Sequence, residues 1–189
     1  MKFKGTFRNA GGRPNFWINA KKELPMEFKQ MIYDQYYSRD ILYVYCDCSM
    51  DIEQRIMSIA CSYVQNGFVL VESNLIYPPD DCVGKNVYGE LQAVLLGLLH
   101  FEKHLYRFSE NIVIYSDIAH ITNIINLKST FKKNASLKNI QLELLQTFNQ
   151  KQLEYPHINI SIEYLPVKMK AYNPFAKSAH NAARKLLQK

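Results

Sequence analysis

A three-strand pattern between residues 41 and 77 limits the fold more than any other feature of this sequence. Ile41–Ser49 is a run of β-branched and aromatic residues, which predicts a buried strand. Ile56–Val64 predicts a second strand. Asn66-Gly67 then forms a two-residue turn signal that makes Phe68–Tyr77 the antiparallel partner of that strand. We therefore expect an antiparallel meander at the start of the main domain.

After this meander, helical and strand patterns alternate. Apolar residues at helical spacing predict a long helix over Tyr88–Leu105, and the short apolar run Asn111–Ser116 predicts a buried strand. Further helices are expected at 118–127, 137–153 and 176–187, with a strand at 158–165. Strands that follow helices favour parallel pairing, so the expected class is α/β. It would be a mixed five-stranded sheet, a three-strand antiparallel meander plus two parallel strands, flanked by helices.

The chain divides into two parts by composition. Its 189 residues suit one domain, and 48% apolar residues can build a real core. Residues 1–40 are richer in Gly, Pro and basic residues and contain the only tryptophan, Trp17. We interpret 1–40 as an N-terminal basic and aromatic extension, with a short helix near Leu24–Tyr37, and 41–189 as the domain. The four cysteines lack zinc-site spacing and are expected to be reduced and mostly buried.

No apolar run reaches the roughly 18–20 residues that a membrane span needs. The basic N-terminus also lacks the apolar segment of a secretory signal. A cytoplasmic protein is therefore expected, with a nuclear or organellar location left open.

Three acidic residues stand at the ends of predicted elements. Asp47 lies at the end of the first strand, Glu90 at the start of the long helix, and Asp117 directly after the strand Asn111–Ser116. Converging carboxylates repel one another unless a cation neutralises them, and oxygen ligands suit Mg²⁺ or Mn²⁺. Taken singly, an acid in such a place is more often a turn residue, a cap or a partner of the helix dipole.

The surroundings of these acids resemble the ribonuclease H family. That family has a strand ending in Asp with Ser two residues later, here Asp47–Ser49, and a helix pattern N-x-x-x-E-L-x-A, here Asn86–Ala93. Its fourth strand ends in a small polar residue and Asp, here Ser116-Asp117. Its last strand leads to Val-Lys and a closing helix similar to Ala-Asp-x-x-Ala-Arg, here Val167-Lys168 and Ala179–Arg184. The resemblance covers about residues 41–189.

The resemblance implies a metal-dependent endoribonuclease that cleaves the RNA strand of RNA–DNA hybrids by two-metal-ion hydrolysis. The implied cofactor is Mg²⁺ or Mn²⁺, two ions per site. By this resemblance, the catalytic and metal-binding residues are Asp47, Glu90, Asp117 and His180. The residues implied for substrate binding are Ser49, Asn86, Lys168 and Lys170.

Two of these positions depart from the common family pattern. His180 stands where the family commonly has a fourth Asp. Neutral imidazole is a metal ligand, and the Argonaute branch of this fold uses Asp, Glu, Asp and His, so His180 is compatible with cleavage and should favour Mn²⁺. Lys170 aligns with a flexible His of many members. It could pair with a phosphate but is a poor proton shuttle at neutral pH.

Asn86 has two interpretations. The resemblance places it near the 2′-hydroxyl of the RNA strand, a contact that distinguishes RNA from DNA. It could equally cap the helix that follows, since Asn is favoured there.

The net charge of +6 fits a polyanionic partner. Nucleic acid, most simply an RNA–DNA hybrid, is therefore the expected partner, and no membrane is expected. Two alternatives remain open at this point. One is a nuclease of the same fold with another substrate, such as a DNA junction or a structured RNA. The other is a catalytically silent ribonuclease H-like module that binds nucleic acid or a protein.

Overall fold

The structure, a computed structural model, describes residues 13–18 and 23–188. Within these residues five strands form one sheet in the order β3-β2-β1-β4-β5. The strands are β1 (Ile41–Asp51), β2 (Ile56–Gln65), β3 (Phe68–Ile76), β4 (Asn111–Ser116) and β5 (Asn159–Tyr164). β1, β2 and β3 pair antiparallel, whereas β1, β4 and β5 pair parallel. The predicted mixed sheet flanked by helices is confirmed.

Six helices accompany the sheet in the described part of the chain. They are α1 (Met26–Tyr37), α2 (Asn86–His100), α3 (Ile121–Ile125), α4 (Ala135–Glu154), α5 (Val167–Lys170) and α6 (Pro174–Leu187). None of the helices among the described residues combines the length and apolar character needed to cross a membrane.

Two predicted helices are longer than the observed ones, and one helix was not predicted. α2 ends at His100, and a 3-10 turn follows over Phe101–His104. Phe101 is fully buried, so the apolar spacing continues past the last α-helical residue and hides the change of helix type. The helix expected over 118–127 shortens to α3, and the loop expected before α6 contains the single turn α5.

The turn between β2 and β3 has the conformation that its residues indicate. Asn66 has φ 50° and Gly67 has φ 79°. Type I′ hairpin turns need positive φ at both central positions, and Asn-Gly tolerates this best. The hairpin continues in register from Gln65↔Phe68 to Met57↔Ile76.

The sheet is covered by helices on both faces. α2 packs over β1, β2 and β4 around a large apolar core that includes Leu42, Val44 and Leu98. Gly97 allows this approach, because a Cβ there would lie 3.2 Å from the Val44 side chain. α6 crosses the other face, where buried Ala179 and Ala183 pack against Ala60 of β2. The small side chains bring α6 close to the sheet.

The described part of residues 1–40 packs onto this second face. Ile32 of α1 is fully buried in a cluster with Tyr45, Val64 and Phe175. Phe16 and Trp17 pack against the same cluster. Residues 1–12 and 19–22 of the predicted extension lie outside the described residues, and the division at residue 40 stays a prediction.

Candidate metal centre

Strand register brings Asp47 and Asp117 side by side. The parallel pairing of β1 with β4 ends at Tyr45↔Tyr115, and each aspartate lies two residues beyond that pair. Asp47 continues β1 and Asp117 is the first residue after β4, so the two aspartates lie beside each other at this edge of the sheet. The sequence analysis expected Asp47 at the end of its strand, but the structure does not place it there. β1 continues to Asp51 because β2 still pairs with it there, opposite Ile56.

Glu90 reaches this edge because α2 runs very close to β1. A Cβ on Gly89 would lie 2.9 Å from the Cys48 Sγ, a distance that real Cβ atoms do not tolerate. The glycine before Glu90 therefore permits the approach. The Cys48 thiol then donates to Glu90 Oε1 at 3.4 Å, and burial together with the nearby carboxylates raises the pKa of that thiol.

The three carboxylates meet at one point. Asp47, Glu90 and Asp117 each offer one oxygen, and these atoms all lie within 4.8 Å of one another. Among the described residues no other group of His, Cys, Asp and Glu does this with three ligand atoms. The arrangement matches the geometry that the sequence analysis expected for a shared cation.

Glu90 shows most directly that the cluster suits a cation. Its Oε2 atom is buried and makes no hydrogen bond within the described residues. Burial, followed by the charges of Asp117 and Asp47, raises the pKa of Glu90 to about 8. A carboxylate kept from water and facing two others is destabilised as an anion, and a divalent cation removes that penalty. Three oxygens of this kind suit the hard ions Mg²⁺ and Mn²⁺.

Lys170 lies against two of the three acids. Its Nζ donates to Asp47 Oδ1 at 2.7 Å and also to Asp117 Oδ2. Burial by itself lowers the pKa of Lys170, but the two carboxylates outweigh it, so the pKa is raised. A positive charge therefore sits between Asp47 and Asp117. The sequence analysis expected Lys170 to meet a phosphate and did not foresee this contact.

His180 approaches the other oxygen of Asp47. Its Nδ1 is 2.8 Å from Asp47 Oδ2, and its side chain is 42% exposed at the rim of the site. A carboxylate only accepts, so Nδ1 carries the proton and Nε2 remains available to another partner. Asp47 itself is 2% exposed and has both oxygens engaged.

The other residues with implied substrate roles surround this point less closely. Ser49 is half-buried in β1, and Lys168 is exposed on α5. Asn86 is the exposed first residue of α2, and its carbonyl accepts from the Cys48 thiol. The N-cap position of α2 is Lys85, so the Asn86 side chain does not cap the helix. The substrate roles of these residues stay predictions.

A second polar cluster was missed by the sequence analysis. Glu72 of β3 contacts His100 Nδ1 and, at 3.1 Å, His104 Nε2. Glu72 is far from them along the chain, and only the register of β3 against β2 brings it close. Both histidines hydrogen-bond to Glu72, and the ring of His104 stacks on the ring of Tyr63.

Comparison with known proteins finds relatives in structure but not in sequence. No protein-family model matches the chain, and no curated protein matches it. The ribonuclease H1 of the halophilic archaeon Halobacterium salinarum NRC-1 superposes with a TM-score of 0.53 at 16% identity, covering 77% of this chain and 98% of that one.

Two further solved structures give the same result. The N-terminal ribonuclease H domain of a Mycobacterium tuberculosis protein has a TM-score of 0.53 at 14% identity, with 78% and 99% of the two chains covered. LC11 ribonuclease H1, solved in complex with an RNA/DNA hybrid, has a TM-score of 0.52 at 14% identity, with 77% and 99% covered. These likenesses, together with the strand order and mixed pairing, show that the chain has the ribonuclease H fold.

Proposed function

We propose that this protein is a metal-dependent endonuclease that hydrolyses the RNA strand of RNA–DNA hybrids. The observation that carries the proposal is the meeting of Asp47, Glu90 and Asp117 within 4.8 Å, on three different elements of a ribonuclease H fold. Converging carboxylates repel one another, and a bound divalent cation offsets that repulsion. The hybrid bound to LC11 ribonuclease H1 supports the choice of substrate.

Asp47, Glu90 and Asp117 would supply the oxygen ligands of the metal. Divalent ions held there would activate a water molecule and stabilise charge on the leaving oxygen, and the resemblance implies that two ions share this chemistry. Asp47 is the central residue, because it is almost fully buried and is held from two sides by Lys170 and His180. His180 keeps Nε2 for an ion or for the substrate.

The substrate would bind across the exposed side of the acids. A cleft of about 370 Å³ opens beside them and is lined by Val167, Lys170, Lys177 and His180, among others. Cationic side chains there suit a phosphate. Asn86, exposed at the start of α2, would meet the RNA strand near a 2′-hydroxyl, while Ser49 and Lys168 would contact the backbone.

The decisive experiment is cleavage of a labelled RNA–DNA hybrid beside duplex DNA and duplex RNA, each in Mg²⁺ and in Mn²⁺. We expect cleavage of the RNA strand of the hybrid, dependent on the metal. Asp34→Asn, an exposed aspartate on α1, serves as a matched control for Asp47→Asn. Loss of activity in both variants would point to a general defect rather than to the acids.

A silent binding module is the second candidate. Lys170 and His180 occupy both oxygens of Asp47, which shows that the chain can neutralise this acid with its own side chains. Hybrid binding without cleavage in either metal, by the wild type and also by His180→Asp, would favour this candidate. Cleavage of a DNA junction or structured RNA, but not of a hybrid, would keep the nuclease and change its substrate.

A further inference from the structure

The ammonium of Lys170 lies where a cation would bind. It contacts one oxygen of Asp47 and one of Asp117, the same two aspartates that converge with Glu90. The Lys170 side chain is only 29% exposed, so its contacts are shielded from water and from salt. In charge and in position, the amine does part of what a metal ion would do there.

Neighbouring backbone contacts hold Lys170 in place. Lys170 N donates to Pro166 O at 2.9 Å, and Lys170 O accepts from Asn173 N at 3.2 Å. The Asn173 side chain, 1% exposed, caps α6 by accepting from the backbone N–H groups of Phe175 and Ala176. Lys170 is thus anchored between α5 and the capped start of α6. The side chain therefore extends from a segment whose backbone is held by hydrogen bonds.

The charge balance at the site suits one divalent ion. The three carboxylates carry three negative charges when Glu90 has released its proton to a metal, and the ammonium returns one positive charge. The remaining two negative charges match one divalent cation. A second such ion in the same space, with Lys170 still present, would leave the site positive and would be repelled.

The oxygens that Lys170 leaves available also suit one ion. It engages Asp47 Oδ1 and Asp117 Oδ2, so each aspartate keeps its other oxygen. Glu90 adds the buried oxygen that has no hydrogen bond within the described residues. Asp47 Oδ2 can still accept from His180, because a carboxylate oxygen has more than one lone pair.

We propose that Lys170 takes the place of one metal ion, so that each chain binds a single divalent cation beside a permanent ammonium. The inference rests on the proposed metal-dependent function. Two of the three N–H donors of Lys170 Nζ meet the aspartates, and the third is available to an oxygen of the scissile phosphate. His180 then keeps its hydrogen bond to Asp47, and its Nε2 atom remains available to the single ion or to the substrate.

Binding stoichiometry tests this proposal independently of activity. Mn²⁺ would be titrated into the full chain by calorimetry and by the loss of the free Mn²⁺ electron paramagnetic resonance signal. Both titrations would be run with and without a hybrid whose RNA strand is 2′-O-methylated against cleavage. We expect one ion per chain for the wild type, two for Lys170→Met, and one for Lys138→Met, a matched exposed lysine on α4. Lys170→Arg, which keeps the charge, should bind one.

The outcomes separate the two proposals. Two ions in the wild type would overturn the role of Lys170 and leave the metal-dependent function standing. One ion in both the wild type and Lys170→Met would also overturn it. No Mn²⁺ binding by any form would remove both proposals. If Lys170→Met does not fold, the wild type alone decides, because two neighbouring Mn²⁺ ions give a spin-coupled spectrum and one ion gives an isolated signal.

Discussion

Replacing Glu90 with glutamine should stabilise the metal-free protein at high pH, and bound metal should reduce that advantage over the wild type. Glutamine keeps the size of Glu90 but cannot ionise. In the metal-free fold, burial and the charges of Asp117 and Asp47 hold the proton on Glu90 up to a pKa of about 8. In the unfolded chain the same group releases its proton near its ordinary value of 4.5.

The direction of the effect follows from proton binding in the two states. Between pH 4.5 and 8 the folded protein holds the Glu90 proton and the unfolded chain does not, so the free energy of unfolding falls as the pH rises. The span between 4.5 and about 8, at about 1.36 kcal/mol per pH unit, corresponds to a loss of roughly 5 kcal/mol above pH 8. Glu90→Gln removes this loss. For a chain of this length, that is a difference in Tm on the order of 10 °C.

Thermal unfolding followed by circular dichroism, with a chelator at pH 5, 7 and 9, measures this difference. We expect the variant and the wild type to melt together at pH 5, and the variant to melt later at pH 9. Saturating Mn²⁺ should narrow the difference at pH 9 by about half, since a ligand present at about 100 times its Kd adds about 2.7 kcal/mol only where it binds. Glu143→Gln, an exposed acid on α4, should follow the wild type throughout. A constant difference between Glu90→Gln and the wild type from pH 5 to 9 would refute the argument.

Variants at three further positions test other parts of the structure. Asp47→Asn should abolish hybrid cleavage, because it removes the charge of a metal ligand. Hybrid binding in a gel-shift assay should stay equal or become tighter, because repulsion of the phosphate is reduced. Near wild-type turnover would exclude Asp47 as a metal ligand. His180→Ala should lower the rate roughly 10- to 100-fold, whereas His180→Asp should keep activity and move the preference from Mn²⁺ toward Mg²⁺; unchanged rates for His180→Ala in both metals would make His180 a bystander. Ile32→Ala should lower the free energy of unfolding by about 2–5 kcal/mol, because Ile32 is the fully buried side chain of α1. Urea denaturation measures this difference, and a loss below about 0.5 kcal/mol would mean that α1 is not part of the core.

The sheet could be predicted because its signals are local. The Asn66-Gly67 turn sets the register of β2 against β3, and the apolar run from Ile41 can be satisfied only at the centre of a sheet. Parallel pairing of β4 and β5 follows from the helices that precede them. The residue at which β1 ends could not be predicted from local sequence signals. It depends on how far β2 continues alongside, which is a tertiary property.

The candidate site was predictable in its acids but not in the contacts that govern them. Asp47 and Glu90 lie within a strand and a helix that the sequence pattern predicts, and Asp117 directly follows a predicted strand. Lys170 lies 123 residues from Asp47 along the chain, and nothing in the sequence indicates which atom its amine reaches. For the same reason the contact between Glu72 and His100 could not be predicted, since it depends on the pairing of β3 with β2.

The two departures that the sequence resemblance implies would act in the same direction on the charge of the site. By that resemblance His180 takes the position of an aspartate, so one negative charge would be absent. Lys170 would take the position of a histidine, so one positive charge would be added, and the Lys170 ammonium lies between Asp47 and Asp117. Together the two changes make the site more positive by about the charge of one divalent ion. Either change alone would leave the two-ion arrangement unbalanced, whereas both together balance a centre with one ion fewer. On this reasoning His180→Asp combined with Lys170→Met should recover two bound Mn²⁺ ions more tightly than Lys170→Met alone, because only the double variant restores both charges.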